Sequence, residues 1–274
     1  MYRLVVSDLD ETLLNHDRRV SEEDKAAIAR LRELGVKFVP ASGRGYCSID
    51  GTLRELGLYN AAGEYVISFN GGAITENHGH RLVHFAPMPF ETADELYRRG
   101  LHYDVCIHVY TKDTVYVYNF FPDEQAYLAG RMEVTEVFEK NLDFLRGQEI
   151  VKCLYTSTNH AYLEGIAREL SSLTGNLDVS YSSGRYLEFN PEGVTKGTGL
   201  RRLAELLHID IRDTIAIGDN YNDMPMIEAA GAGAGVRNMV EELKAQCDYV
   251  TAASCDQSAV AEVIRHFIPE AFQK

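Results

Sequence analysis

The sequence contains no run of about 18 apolar residues, the length that a membrane-spanning helix requires. It is also short of positive charge, with 27 Lys and Arg against 41 Asp and Glu and a formal net charge of -14. No local basic patch stands out, and an acidic surface repels nucleic acids and anionic lipids. We therefore expect no nucleic acid and no membrane among the partners.

Cysteine pairs of the C-x-x-C type are absent. The cysteines are odd in number and widely scattered, which is typical of reduced thiols rather than of a disulfide framework or a zinc knuckle: Cys47, Cys106, Cys153, Cys247 and Cys255. Residues 1–8 contain no apolar signal region and no cleavage site. These features predict a cytoplasmic protein.

The chain alternates short apolar runs with amphipathic segments. Residues 4–6 form an apolar run typical of a strand buried on both faces, and residues 36–39 form a second strand. Between them, Ser21 and Asp24 form a capping pattern for a helix that Gly35 is placed to end. Alternation of this kind predicts βαβ units and a parallel sheet with right-handed crossovers.

The pattern changes from about residue 87, where adjacent strand-like runs at 105–110 and 114–118 indicate an antiparallel hairpin. Alternation resumes after residues 190–193. With 274 residues available, we predict an α/β fold with a Rossmann-like, doubly wound parallel core made of residues 1–86 and 188–274. Residues 87–187 then form an inserted α+β cap domain.

Polar residues follow the predicted strands, where open α/β sheets place their ligands. Asp8 and Asp10 lie two residues apart after the first strand, so both side chains point the same way. Their mutual repulsion is relieved by a hard divalent ion such as Mg²⁺. A strand-end turn followed by a helix cap is the alternative interpretation of these two residues.

Two further positions give weaker evidence of a functional site when each is taken by itself. Ser42 and Gly43 follow the second strand and can hold a phosphate oxygen, although an ordinary helix cap explains them equally well. Lys196 stands in the first turn of a helix, where the helix dipole disfavours a cation unless an anion is bound nearby. A solvated surface lysine is the alternative there.

A last cluster follows the apolar residues 215–217. We expect Asp219 at the strand end, Asp223 in the following helix, and Asn222 facing the same crevice. Three polar side chains at a buried strand end cost several kcal/mol unless water, a metal or a ligand satisfies them. Here the functional interpretation is favoured even without the other clusters.

Together these clusters resemble the haloacid dehalogenase superfamily and, within it, the Cof-type phosphatases. That family has the pattern D-x-D-x-T, then a Ser or Thr, then a Lys before a helix, and then G-D-x-x-N-D, and all four occur here in this order. Residues 11–41 leave no room for a cap, whereas residues 43–195 do. This arrangement is similar to the family's C2 cap class and differs from the dehalogenase and phosphoglucomutase branches.

The resemblance implies Mg²⁺-dependent hydrolysis of small phosphorylated metabolites, sugar phosphates first, through an aspartyl-phosphate. Asp8 would be the nucleophile and Asp10 the general acid and base. Metal binding is implied for Asp8, the main-chain carbonyl of Asp10, Asp219 and, through water, Asp223. The implied phosphate-binding positions are Leu9, Ser42, Gly43, Lys196 and Asn222.

Some features depart from the family pattern or leave alternatives open. Glu11 replaces the Gly most often seen at its position, and residues 233–238 and 254–257 also diverge. We expect Arg44 to pair with a core carboxylate or with the cap rather than with the transferred phosphate. A phosphomutase of the phosphomannomutase type and a catalytically silent binding module are the alternative functions, and we expect a monomer or a homodimer.

Overall fold

A computed structural model describes residues 1–273. The chain divides into two compact units: a core unit, made of Met1–Phe85 and the residues from Thr195 onwards, and an inserted unit, Ala86–Val194. Within the described residues, each helix is too short or too polar to cross a membrane.

The first part of the core unit contains the elements that the alternating pattern predicts, followed by two strands that we did not predict, β4 and β5. In chain order the elements are β1 (Leu4–Asp8), α1 (Glu22–Glu33), β2 (Lys37–Ala41), α2 (Asp50–Glu55), β3 (Tyr65–Ser68), β4 (Ala73–Glu76) and β5 (Arg81–Phe85). Ser21 caps α1 by accepting a hydrogen bond from the Asp24 backbone N–H at 3.0 Å. Gly35, with a φ of 75°, follows the helix end as predicted.

The inserted unit is an α+β block with its own sheet. Its elements are α3 (Phe90–Gly100), β6 (Cys106–Thr111), β7 (Val115–Tyr118), α4 (Pro122–Leu128), β8 (Thr135–Val137), β9 (Ile150–Thr156), α5 (His160–Glu169), β10 (Leu177–Ser182) and β11 (Tyr186–Pro191). The sheet order is β10-β11-β9-β6-β7-β8, and β6 and β7 form the predicted antiparallel hairpin.

The boundary predicted at residues 187 and 188 cuts through β11. This strand pairs with β10 along its whole length and with β9 at Tyr186–Phe189, so its backbone hydrogen bonds place it in the inserted sheet. The two units divide between Val194 and Thr195 instead.

The remaining elements of the core unit add three strands to its sheet and three α-helices that pack on it. They are α6 (Lys196–Leu206), β12 (Thr214–Gly218), α7 (Met224–Ala229), β13 (Ala232–Gly235), β14 (Tyr249–Val250) and α8 (Ala259–Phe267). Short 3-10 helices cover Tyr46–Ile49, Phe69–Gly71, His78–His80, Asp143–Leu145, Ile211–Asp213, Tyr221–Asp223, Glu241–Gln246, Cys255–Gln257 and Pro269–Phe272.

The core sheet has the order β14-β13-β12-β1-β2-β3-β4-β5. Strands β14 to β3 are parallel, and β4 and β5 add an antiparallel edge. This is the predicted doubly wound α/β fold. Because β12 and β2 flank β1 in parallel, the carboxyl ends of all three strands meet at one edge of the sheet.

Strand β1 is buried on both faces, as predicted. Val5 packs into an apolar cluster with residues of α1 and α8, whereas Leu4 and Val6 pack into a second cluster with residues of α6 and α7. Successive side chains of a strand point to opposite faces, so one short apolar run supports both helical layers. The polar residues of β1 are therefore confined to its carboxyl end.

Gly218, the last residue of β12, provides the space that Asp223 occupies. An ideal Cβ at this position would lie 2.3 Å from Asp223 Cβ and 2.5 Å from its Cγ, far inside van der Waals contact. We predict that Gly218→Ala displaces Asp223 and lowers the free energy of unfolding by about 1–3 kcal/mol in urea denaturation. The matched control is Gly51→Ala in α2, where a Cβ meets nothing within 4 Å, and equal losses in both variants would contradict this account.

Candidate active site

Four buried charged residues meet at the carboxyl edge of the core sheet. Asp8 ends β1, Asp219 follows β12, Asp223 closes the 3-10 turn Tyr221–Asp223, and Lys196 begins α6. All four are buried. The sequence clusters at Asp8, Lys196 and Asp219–Asp223 therefore form one site.

Lys196 lies between two of these carboxylates. Its Nζ lies 2.5 Å from Asp8 Oδ1 and 2.5 Å from Asp223 Oδ1, and it donates a hydrogen bond to each. Burial acts to lower the pKa of Lys196, but the attraction of Asp223 and Asp8 outweighs it and holds the pKa above its usual value. Lys196 is thus a protonated, buried residue, and the interpretation as a solvated surface lysine is wrong.

The three carboxylates crowd together. One carboxylate oxygen from each of Asp8, Asp219 and Asp223 lies within 4.8 Å of the other two. Burial raises the pKa of Asp8 to about 7, with Lys196 opposing the shift. Burial, Asp223 and Asp8 raise the pKa of Asp219 well above its usual value. One ammonium group faces three carboxylates, so the site favours a further cation, and its oxygen ligands suit a hard divalent ion such as Mg²⁺.

Neighbouring donors orient the carboxylates. The Thr12 hydroxyl donates to Asp219 Oδ1 at 2.8 Å, and the backbone N–H groups of Asp219 and Asn220 donate to Asp223 Oδ2 at 3.0 Å each. We assigned no role to Thr12 from the sequence. Its place two residues after Asp10, in the D-x-D-x-T pattern, was the signal that could have found it.

Asp10 is not one of the three clustered carboxylates, and it is paired with Arg44. Arg44 Nε donates to Asp10 Oδ2 at 2.8 Å, and Arg44 Nη2 donates to Oδ1. The prediction that Arg44 pairs with a core carboxylate is confirmed. The Arg44 backbone N–H also donates to Ser42 Oγ at 3.1 Å, so Ser42, Gly43 and Arg44 form one turn after β2.

Asn70 connects two of the predicted positions, and the sequence interpretation did not single it out for the site. Its backbone N–H donates to the Ser42 carbonyl at 3.0 Å, and its side-chain oxygen accepts from Asn222 Nδ2 at 3.2 Å. The Leu9 side chain lies in the apolar core, which leaves only its backbone for a ligand. The phosphate-binding roles of Leu9, Ser42, Gly43, Lys196 and Asn222 stay predictions.

Comparison with known proteins agrees with this geometry. A sequence model of the haloacid dehalogenase-like hydrolase family matches residues 5–264. The chain is similar to an HMP-PP phosphatase of Serratia proteamaculans, with 28% identity over 271 residues that cover 98% of this chain and 96% of that protein.

Solved structures show the same likeness. A haloacid dehalogenase-like hydrolase from Bacteroides thetaiotaomicron is 30% identical, has a TM-score of 0.81, and is matched over 98% of this chain and 100% of its own. A second one, from B. subtilis, is 24% identical with a TM-score of 0.86 over 97% of this chain and 100% of its own, and supports the fold.

The family match spans most of the chain and includes every residue of the buried site, from Asp8 to Asp223. The relatives are matched over nearly their whole length, so the likeness is not confined to one motif. The chain therefore belongs to the haloacid dehalogenase-like hydrolases and is a Cof-type phosphatase, a phosphoric monoester hydrolase.

Proposed function

We propose that this phosphatase hydrolyses monoesters of small phosphorylated metabolites, sugar phosphates first, with Mg²⁺ bound at its carboxylate cluster. The observation that carries the proposal is the buried group of Asp8, Asp219, Asp223 and Lys196 at the carboxyl edge of β1 and β12. The name of the Serratia proteamaculans relative, an HMP-PP phosphatase, supports a small phosphorylated substrate.

The metal ligands would be Asp8, Asp219 and the main-chain carbonyl of Asp10, with Asp223 acting through water. Bound Mg²⁺ supplies the positive charge that an anionic carboxylate needs in order to approach an anionic phosphate. Thr12 keeps Asp219 oriented for this role through the 2.8 Å hydrogen bond to its Oδ1.

Asp8 is the proposed nucleophile. A carboxylate oxygen of Asp8 attacks phosphorus, the ester P–O bond breaks, and the leaving oxygen takes a proton from Asp10. Water then attacks the phosphorus of the aspartyl-phosphate and gives a proton to Asp10. The bond between phosphorus and the Asp8 oxygen breaks, so inorganic phosphate leaves and the Asp8 carboxylate is restored. Lys196 donates to Asp8 and favours its ionised form before the attack.

The pair between Asp10 and Arg44 bears on the proton transfers. Arg44 contacts both carboxylate oxygens of Asp10. A protonated carboxyl oxygen is a weaker acceptor than an ionised one, so the contact to that oxygen must loosen when Asp10 carries the transferred proton. The same arginine donates its backbone N–H to Ser42, so this movement is coupled to the turn that would bind the phosphoryl oxygens.

The proposed phosphoryl ligands surround this position. The Ser42 hydroxyl, the Gly43 N–H, the Leu9 backbone, Lys196 and Asn222 would contact the equatorial oxygens, where negative charge is spread in the transition state. Asn70 positions two of them, Ser42 and Asn222, through its backbone and its side chain.

Asp8→Asn is expected to lower turnover at least about 10³-fold, because an amide cannot act as the nucleophile. The measurement is phosphate release, with Mg²⁺ present, from an aryl phosphate and from a panel of sugar phosphates, nucleotides, pyridoxal phosphate and phosphoglycolate. Asp210→Asn, which removes an exposed carboxylate paired with Arg212, should retain activity. Full activity in Asp8→Asn would contradict the proposed mechanism. If no sugar phosphate in the panel is hydrolysed, the proposal that sugar phosphates are the substrates is wrong.

Ser42→Ala is expected to lower kcat by about 10–100-fold, by analogy with a lost oxyanion donor. Ser48→Ala serves as the matched control, since the Ser48 hydroxyl donates to the Gly45 carbonyl at 2.7 Å and has no proposed role at the phosphate. Unchanged kcat in Ser42→Ala, at equal thermal stability of the three proteins, would remove Ser42 from the phosphate site.

Mg²⁺ is expected to raise the thermal unfolding temperature more at pH 8 than at pH 5.5. Without a metal ion, burial raises the pKa of Asp8 to about 7 and that of Asp219 well above its usual value. The stability that these carboxyl groups contribute is therefore present at low pH and is lost as the pH rises, for Asp8 through about 7. Bound Mg²⁺ offsets the unfavourable interaction of the buried carboxylates with one another, and it can do so only at a pH where the carboxyl groups are ionised. Differential scanning calorimetry tests this. Asp219→Asn is the variant that should lose the Mg²⁺ effect, and Asp210→Asn is the control that should keep it. Equal shifts of the unfolding temperature in these two variants would place Mg²⁺ elsewhere.

A further inference from the structure

The segments that depart from the family pattern meet at one place in the core unit. Asn238, in the divergent residues 233–238, donates from Nδ2 to the Glu11 carbonyl at 2.7 Å. Its Oδ1 accepts from the Cys255 backbone N–H at 2.9 Å. Glu11, Asn238 and Cys255 thus join three stretches that are far apart in the sequence, and the phosphatase mechanism uses none of these contacts.

This junction carries a group of metal-ligating side chains. One possible ligand atom from each of His16, Cys255 and Asp256 lies within 4.8 Å of the other two. His16 Nδ1 is 2.7 Å from Asp256 Oδ2, and the His16 backbone N–H donates to Asp256 Oδ1 at 3.0 Å. Cys255 is buried, whereas the side chains of His16 and Asp256 are 69% and 46% exposed, so a bound ion would remain open to water.

The surrounding charge is negative. The carboxylates of Glu11 and Asp17 interact electrostatically with the His16 ring, and those of Glu11 and Asp219 interact electrostatically with the Cys255 thiol. A negative potential at two neutral or weakly acidic ligands attracts a cation. Glu11, the replacement for the usual Gly, has a φ of 60°, a conformation that costs a non-glycine residue energy.

We propose that His16, Cys255 and Asp256 form a second metal site, which takes a divalent ion of the Zn²⁺ class. Imidazole, thiolate and carboxylate are the donors that such ions prefer, whereas Mg²⁺ prefers oxygen alone. The site is therefore chemically distinct from the carboxylate cluster of the active site.

The geometry needs only a small adjustment. Bonds of about 2.0–2.1 Å at tetrahedral angles set a nitrogen and an oxygen ligand about 3.4 Å apart. The His16 and Asp256 atoms, now 2.7 Å apart, must separate by less than 1 Å, and both side chains are exposed enough to move. The bound ion would fasten the loop between β1 and α1 to the segment that precedes α8.

Cobalt binding tests the site without reference to phosphatase activity. Co²⁺ is titrated into the full-length chain with excess Mg²⁺ present, and the near-ultraviolet absorbance is recorded, because a thiolate ligand produces a charge-transfer band there and oxygen ligands do not. We expect one equivalent of Co²⁺ to produce the band and Zn²⁺ to bleach it. No band in the wild-type protein would overturn the proposal.

Variants assign the ligands. Cys255→Ser should abolish the band, and His16→Ala and Asp256→Asn should each weaken Co²⁺ binding at least about tenfold. Since His16 is exposed, its variant tests the site even if Cys255→Ser fails to fold. The control is Cys47→Ser, which removes an exposed thiol that also lies near a histidine, with Sγ 3.6 Å from His80 Nδ1. A band that survives in Cys255→Ser, or is lost in Cys47→Ser, overturns the assignment.

Discussion

The balance of charge around the Lys196 ammonium group is the constraint on which the site depends. It donates to Asp8, which lies 188 residues away in the sequence, and to Asp223, 27 residues away. Three buried carboxylates without this lysine would be strongly unfavourable, and the lysine without them would be an unpaired buried cation. The balance is incomplete, because one ammonium group faces three carboxyl groups, and this excess of acidic groups is what makes the site suited to a divalent cation and an anionic substrate.

Close backbone packing brings the lysine to this position. A Cβ at Gly71, where φ is 96°, would lie 2.2 Å from the Thr195 carbonyl oxygen, and a Cβ at Gly197 would lie 2.1 Å from the Pro225 carbonyl oxygen. The first turn of α6 can therefore approach its neighbours only because these residues lack side chains. The Thr195 hydroxyl accepts from the Thr198 backbone N–H at 3.1 Å and fixes the start of the helix next to the carboxylates.

Elements whose stability depends on tertiary packing rather than on intrinsic preference were hardest to predict. Strand β13 reads Ala-Gly-Ala-Gly and has little intrinsic preference for a strand, but a Cβ at Gly233 would meet Ile227 of α7 at 2.6 Å, so this small-residue strand is what the packing allows. The unpredicted helix α4 is short, and its buried Glu124 accepts hydrogen bonds from Arg185 and Tyr186, which lie 61 and 62 residues further along the chain. Neither set of contacts leaves a local pattern in the sequence.

The sequence by itself determined the fold class and the four polar clusters, because buried parallel strands read as apolar runs and their carboxyl ends meet at one edge of the sheet. Tertiary structure alone decided which polar side chains touch: Arg44 with Asp10, Asn70 with Asn222, and His16 with Asp256. The physical reason is that strand and helix periodicity is a local property of the chain. Hydrogen-bond partners that are 34, 152 and 240 residues apart depend on how the elements pack together.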